Sequence, residues 1–156
     1  MEMIWNVGFV ILMAAIAWID RKTMEIPDEL NFLVIICGVA SIWIAPKISM
    51  FSRIVGAFLV SVPMVFMIRL IPDSFGGGDV KLVFGAGLCL GWKGLLVGTF
   101  FAFLIGGFQA MYLLISGKAK VGEGAHMAFG PALCIGFLIA QFYGDALINW
   151  YLHLFY

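Results

Sequence analysis

The sequence has very little charge for its length. Only 12% of its 156 residues are Asp, Glu, Lys or Arg, and the formal net charge is zero. A typical soluble domain is about 25% charged. Hydrophobic residues make up 63%, so too little polar surface exists to cover a soluble globule. An all-α membrane protein with a single domain over residues 1–156 is therefore predicted, and no basic patch suggests a nucleic-acid partner.

Cysteine is scarce as well. Its three copies, Cys37, Cys89 and Cys134, lie inside apolar stretches and form no CxxC motif. Zinc and redox motifs depend on such pairs, so no metal site is predicted. Free cysteines in these surroundings are typical of small packing residues.

Long apolar stretches fill most of the chain. A bilayer core of about 30 Å is crossed by about 20 helical residues. The candidate spans are residues 3–19, 27–45, 54–71, 80–92, 94–116 and 127–143. Arg21 and Lys22 follow the first stretch rather than precede it, which is the reverse of a secretory signal. We therefore interpret the first stretch as an uncleaved span.

The placement of basic residues separates the fourth span from the fifth. With six spans and the N-terminus outside, the opposite side of the membrane holds only Lys47, Arg53 and Lys93. The other basic residues then lie on the cytoplasmic side, as the positive-inside rule requires. Merging residues 80–116 into one helix removes this bias. The sequence therefore predicts a multi-pass bundle of about six transmembrane helices, with the N-terminus outside.

Two carboxylates stand at the edges of apolar stretches on the predicted cytoplasmic face. Asp20 ends the first span, and Asp79 follows Gly76, Gly77 and Gly78 at the start of the fourth. Ionisable groups near a bilayer are costly and commonly functional. Two carboxylates in one small site cannot easily both ionise, so one keeps a proton. Such a pair suits an aspartic protease, in which one Asp activates water and the other protonates the leaving amine.

The residues alone leave other interpretations open. Asp20 beside Arg21 and Lys22 could form an interfacial salt bridge, and the glycine run could be a turn with Asp79 as a helix cap. Glycine, which lacks Cβ, would also let an extended peptide approach Asp79. Lys81 either holds Asp79 or extends its amine to the lipid headgroups, and we favour the second.

Acidic residues in membranes also occur in proton-coupled transporters. A small transporter and a non-enzymatic assembly protein of a secretion system are the alternative functions. Asp20 and Asp79 lie at span ends rather than at mid-bilayer, and no inverted repeat of the transporter kind is evident. From the residues alone, the protease and these two alternatives remain close.

Three motifs together resemble the type IV prepilin peptidases, a family of GxGD membrane aspartic proteases. They are "DRKTMEIPDELN" from Asp20 to Asn31, "GGGDVKL" from Gly76 to Leu82, and "AFGPAL" from Ala128 to Leu133. The motifs occur in the family's order and cover nearly the whole chain. Ala128 stands where the family usually has proline.

The resemblance implies a six-span peptidase that removes the leader from type IV pilin-like precursors at the cytoplasmic face, without a metal or cofactor. Asp20 and Asp79 match the family's two catalytic aspartates. Partners would be these membrane-protein substrates and the lipid bilayer, and the oligomeric state is not predicted. The residues expected to shape the substrate site are Gly76, Gly77, Gly78, Lys81 and Pro27. Pro131 is expected to fix a helix end, and His126 to be an interfacial residue.

Longer bacterial members of that family carry a cysteine-rich cytoplasmic insertion and also methylate the new amino terminus. Here the loop from Arg21 to Ile26 is short and contains no cysteine. The chain therefore resembles the compact, protease-only members, and no methyltransferase activity is expected.

Overall fold

The computed structural model describes residues 2–44, 46–71, 75–117 and 128–154, and these ranges contain helices and no strand. The helices are α1 (Glu2–Thr23), α2 (Asp28–Ile44), α3 (Met50–Leu59), α4 (Ser61–Leu70), α5 (Gly77–Ile115) and α6 (Gly130–His153). In this part of the chain, four helical stretches are long and apolar enough to cross a membrane. They are Met3–Thr23, Met50–Leu70, Gly77–Ile115 and Gly130–His153. The predicted all-α membrane fold is confirmed.

The long helix α5 is a hairpin that reverses at Gly91. Gly91 has φ 69° and ψ 175°, outside the helical region, and this positive φ favours glycine. The rings of Phe75 and Phe103 are only 6.2 Å apart, whereas a continuous helix would separate these residues by about 42 Å at 1.5 Å per residue. We call the two arms α5a (77–90) and α5b (92–115). Their separation is the one that the placement of basic residues predicts.

Contacts with the hairpin give the direction of the other helices. Gly85 of α5a lies against Val34 of α2, and Gly87 lies against Gly56 of α3. Gly106 of α5b lies against Phe129, just before α6. The helical passes therefore alternate in direction. We call the end that holds Asp20 and Asp79 the near face and the end that holds Gly91 the far face.

The third pass is broken into α3 and α4 at Val60, which has φ −106° and ψ −37°. Pro63 lies in the first turn of α4, where its ring excludes a helical hydrogen bond to Leu59 and disturbs the turn before it. The predicted span 54–71 is therefore one pass in two segments. The sixth pass also continues beyond its predicted end at residue 143, so Asp145 lies inside α6 rather than after it.

The prediction that Arg53 is a loop cation is wrong. Its side chain is 1% exposed inside the bundle. The guanidinium donates hydrogen bonds to the Leu88 carbonyl at 2.7 Å, to the Ser41 carbonyl at 3.0 Å and to the Ser41 hydroxyl. Because the chain reverses at Gly91, carbonyls at the end of α5a have no helical donor. Arg53 satisfies them and ties α3 to α2 and α5a.

Candidate active site

Asp20 lies in the last turn of α1, and the residue that follows the helix, Met24, has a left-handed backbone conformation. Met24 has φ 56°, and its N–H donates to the Asp20 carbonyl at 2.8 Å. Glycine usually occupies this position, and a left-handed conformation costs another residue about 1–2 kcal/mol. Such strain clusters at functional sites. The turn at Met24 directs Glu25 and Ile26 towards the same cavity as Asp20.

The Asp20 carboxylate is held at the start of α6. Its side chain is 4% exposed, and Oδ2 accepts a hydrogen bond from the Gly130 N–H at 2.9 Å. The first N–H groups of a helix lack helical acceptors and favour negative charge. A Cβ on Gly130 would lie 2.5 Å from this oxygen. Glycine at position 130 therefore supplies both the donor and the space for the carboxylate.

Asp79 is the third residue of α5 rather than its cap. The cap is Gly76, whose N–H donates to Asp79 Oδ2 at 3.2 Å. This is the return half of a capping box. The sequence left open that Asp79 is a helix cap. This alternative is correct in part, because the Asp79 side chain stabilises the start of α5 although Gly76 is the cap. The Asp79 side chain is 7% exposed and also lines the cavity that Asp20 lines.

Both carboxylates face one cavity of about 370 Å³ at the near face. Its lining residues are Asp20, Met24, Glu25, Ile26, Gly76, Gly77, Gly78 and Asp79. The structure therefore brings together the two aspartates and the three glycines that the sequence predicts. Two carboxylates around an open cavity can hold a water molecule and an extended peptide between them, which is the arrangement that acid–base hydrolysis needs.

The three glycines differ in their surroundings. A Cβ on Gly76 would lie 3.2 Å from Asp79 Oδ2, and one on Gly78 would lie 3.0 Å from Ile26 Cβ. A Cβ on Gly77 would have no neighbour within 4 Å. A side chain at Gly76 or Gly78 would therefore press against Asp79 or Ile26, whereas Gly77 leaves open space at the rim of the cavity.

Three aromatic rings join the helix starts that carry the site. Phe75 precedes Gly76, Phe129 precedes Gly130, and Phe103 of α5b packs against both rings. The ring centroids are 5.8 Å apart for Phe75 and Phe129, and 5.6 Å apart for Phe103 and Phe129. Sequence reasoning missed these rings and Gly130. The available signal was a Phe-Gly pair near the start of each of two apolar spans.

Lys81 and Pro27 lie outside this cavity. Lys81 Nζ is 2.6 Å from Asp28 Oδ1, and both side chains are exposed, so Lys81 pairs with the start of α2 rather than with Asp79. The Pro27 carbonyl accepts from the N–H groups of Leu30 and Asn31 at 3.1 and 3.2 Å. Pro27 thus precedes α2, which begins at Asp28. Pro131 lies in the first turn of α6, as expected.

His126, which is expected to be an interfacial residue, lies outside the described residues. Among the residues that the structure describes, no group of three His, Cys, Asp or Glu side chains is arranged to hold a metal ion.

Comparison with known proteins identifies related chains. Residues 7–111 match the model of the type IV leader peptidase family. The chain is 28% identical over 152 residues to a prepilin leader peptidase/N-methyltransferase of Bacillus subtilis (strain 168), covering 97% of this chain and 60% of that protein. A protein of the same description from Legionella pneumophila is 28% identical over 165 residues, covering 95% of this chain and 56% of its own length. The chain thus spans little more than half the length of these relatives. No solved structure matches it significantly.

Proposed function

Because this chain belongs to the type IV leader peptidase family, we propose that it is a membrane aspartic endopeptidase that cleaves the leader from type IV prepilin-like precursors. The observation that carries the proposal is the convergence of Asp20 and Asp79, from different helices, on one cavity. Each carboxylate has one oxygen held by a backbone N–H at a helix start. Such fixed geometry is what acid–base catalysis requires.

The proposed reaction uses the two carboxyl groups with one proton between them. The ionised group takes a proton from a water molecule as the water oxygen bonds to the scissile carbonyl carbon. The protonated group donates a hydrogen bond to the carbonyl oxygen and then gives a proton to the leaving amine as the C–N bond breaks. In both aspartates Oδ2 is bound to a backbone N–H, which leaves Oδ1 for water and substrate.

We assign the near face to the cytoplasm. Of the described basic residues, Arg21, Lys22, Arg69 and Lys81 lie towards the near face, and Lys47 and Lys93 lie towards the far face. Arg53 is buried inside the bundle, so it is left out of this comparison of the two faces. This asymmetry supports the cytoplasmic assignment by the positive-inside rule. The inner, cytoplasmic membrane is the corresponding location.

The position of the pair favours hydrolysis over transport. Asp20 lies in the last turn of α1 and Asp79 in the first turn of α5, whereas transporters bind their substrates and ions near the membrane midplane. A cavity at a helix end is suited to a peptide bond at the membrane surface. The descriptions of the relatives also include methyl transfer. The absence of this activity here remains a prediction, which transfer of a labelled methyl group to the processed product would contradict.

The proposal is tested by cleavage of a precursor in proteoliposomes. The precursor carries a short leader before an apolar helix, and mass spectrometry of the product locates the cut. The wild type should cut once, close to the start of the apolar helix, whereas Asp79→Asn should leave the precursor intact. Asp145→Asn, in the far-face half of α6, is the matched control and should cut normally. Proton flux that depends on Asp79, without any cleavage, would favour the transporter instead.

A further inference from the structure

A groove runs between α2 and α4 over the surface of α5a. Both helices pack against α5 and have no substantial contact with each other. The inner part of the groove is a mainly apolar recess of about 340 Å³ between α2, α3, α4 and α5a, and its lining includes Ile35, Val62, Val65, Val80 and Lys81. Phe58 and Phe84 close its deep end with a ring contact of 5.3 Å.

The near-face mouth of the groove is charged. A second recess of about 450 Å³ shares Ile35 and Lys81 with the first and is also lined by Asp28, Glu29 and Asn31. Lys81 pairs with Asp28, which leaves Glu29 as the remaining charged residue among those that line this recess. The Asn31 side chain is 1% exposed, and neither its amide nitrogen nor its amide oxygen has a hydrogen-bond partner. Burying an amide in this way is costly unless a partner arrives.

We propose that this groove binds the membrane helix of the substrate, so that the helix lies against α2, α4 and α5a before cleavage. The proposal rests on the proposed function. An apolar recess below an acidic mouth fits an apolar helix whose interfacial end carries basic residues. From Asp28 to Ile35 the groove is about 10 Å long at 1.5 Å per residue. It therefore holds about two helical turns, packed as ridges into a groove.

The open rim at Gly77 connects this groove with the catalytic cavity. Asp79 and Lys81 point to different sides of the first turns of α5a, because successive helical residues are about 100° apart. A peptide that leaves the groove must pass over the start of α5a, where a Cβ on Gly77 would meet nothing within 4 Å. The helix is about 10 Å wide, and an extended chain covers about 3.3 Å per residue. The scissile bond should therefore lie about three residues before the first substrate residue bound in the groove.

Site-specific photo-crosslinking tests this docking. A photoreactive amino acid is placed at Val65 in the groove or at Phe108, which is 71% exposed on α5b, in the inactive Asp79→Asn protein with an uncut precursor. The expected result is a crosslink to the precursor helix from position 65 that exceeds the one from position 108 by at least tenfold. Equal crosslinking from the two positions would overturn the proposal. So would crosslinking from position 65 to lipid alone or to a second copy of this chain.

Filling the groove gives an independent readout in the active protein. Val65→Trp should raise KM for the full precursor at least tenfold. It should leave the cleavage of a short peptide that lacks the apolar helix unchanged, and Phe108→Trp should change neither. If Val65→Trp cleaves the full precursor like the wild type, the groove proposal fails while the proposed function stands. If the wild type cleaves neither substrate, the proposed function itself fails.

Discussion

Replacing Gly130 with alanine is expected to slow cleavage by about 100-fold while the protein remains folded. The new Cβ would lie 2.5 Å from Asp20 Oδ2 and 2.8 Å from its Cγ, and ordinary contact begins at 3.4 Å. To restore ordinary contact, the carboxylate would have to move by 3.4 − 2.5, or about 0.9 Å. A displacement of about 1 Å at a reacting group costs about 10²-fold in rate, which corresponds to about 2.7 kcal/mol of transition-state stabilisation.

The stability cost of this change should be moderate, because the Asp20 carboxylate can rotate away from the new Cβ, whereas Asp20 Cβ, at 3.1 Å, cannot. The assay is kcat for precursor cleavage in proteoliposomes, together with thermal unfolding in detergent. Gly107→Ala is the open-space control, because its Cβ would have no neighbour within 4 Å. Gly98→Ala is the packing control, because its Cβ would lie 2.8 Å from Phe137, away from the site. A Gly130→Ala protein that retains kcat within threefold, or that loses activity only as it loses folded protein, would refute the reasoning.

Other substitutions test separate parts of the account. Gly77→Val should raise KM at unchanged melting temperature, because its side chain enters the open rim of the cavity; an unchanged KM would show that substrate does not pass there. Arg53→Met should lower the free energy of unfolding by about 3 kcal/mol or more, since at least two buried carbonyls lose a donor at about 1–3 kcal/mol each. Thermal unfolding in detergent measures this loss, and a clearly smaller loss would contradict the role given to Arg53. Lys81→Gln should change the free energy of unfolding by less than about 1 kcal/mol, because its ion pair with Asp28 is exposed. A larger loss would assign Lys81 a structural role beyond that pair.

The sequence was sufficient to predict the helical passes and the common face of the two aspartates. Apolar length locates membrane helices because the bilayer imposes it, and the placement of basic residues separates α5a from α5b. The end of α6 was misplaced at residue 143 because the aromatic residues that follow suit either an interfacial anchor or a continuing helix. The break in the third pass at Val60 was not predicted, although Pro63 in the same stretch favours a disturbed helix.

The contacts that shape the site could not be predicted in the same way. The hydrogen bond from Gly130 to Asp20 joins residues 110 positions apart, and no local pattern encodes it. The burial of Arg53 depends on the carbonyls exposed by the turn at Gly91, so a count of loop charges placed Arg53 wrongly. The ion pair of Lys81 with Asp28 is likewise a contact between distant residues, and the expectation that Lys81 reaches the headgroups stays a prediction.

The most direct test of the central claim is a double-mutant cycle on Asp20 and Asp79. Asparagine keeps an oxygen that can accept the Gly130 and Gly76 N–H groups, so Asp20→Asn and Asp79→Asn should remain folded. General acid–base groups contribute about 10²–10⁴-fold, and residues that act as one unit give strongly non-additive losses. Each single variant should therefore lose at least 10²-fold in kcat, and the double variant should be no slower than the slower single variant. Full processing by either single variant, or losses that multiply in the double variant, would contradict a catalytic pair.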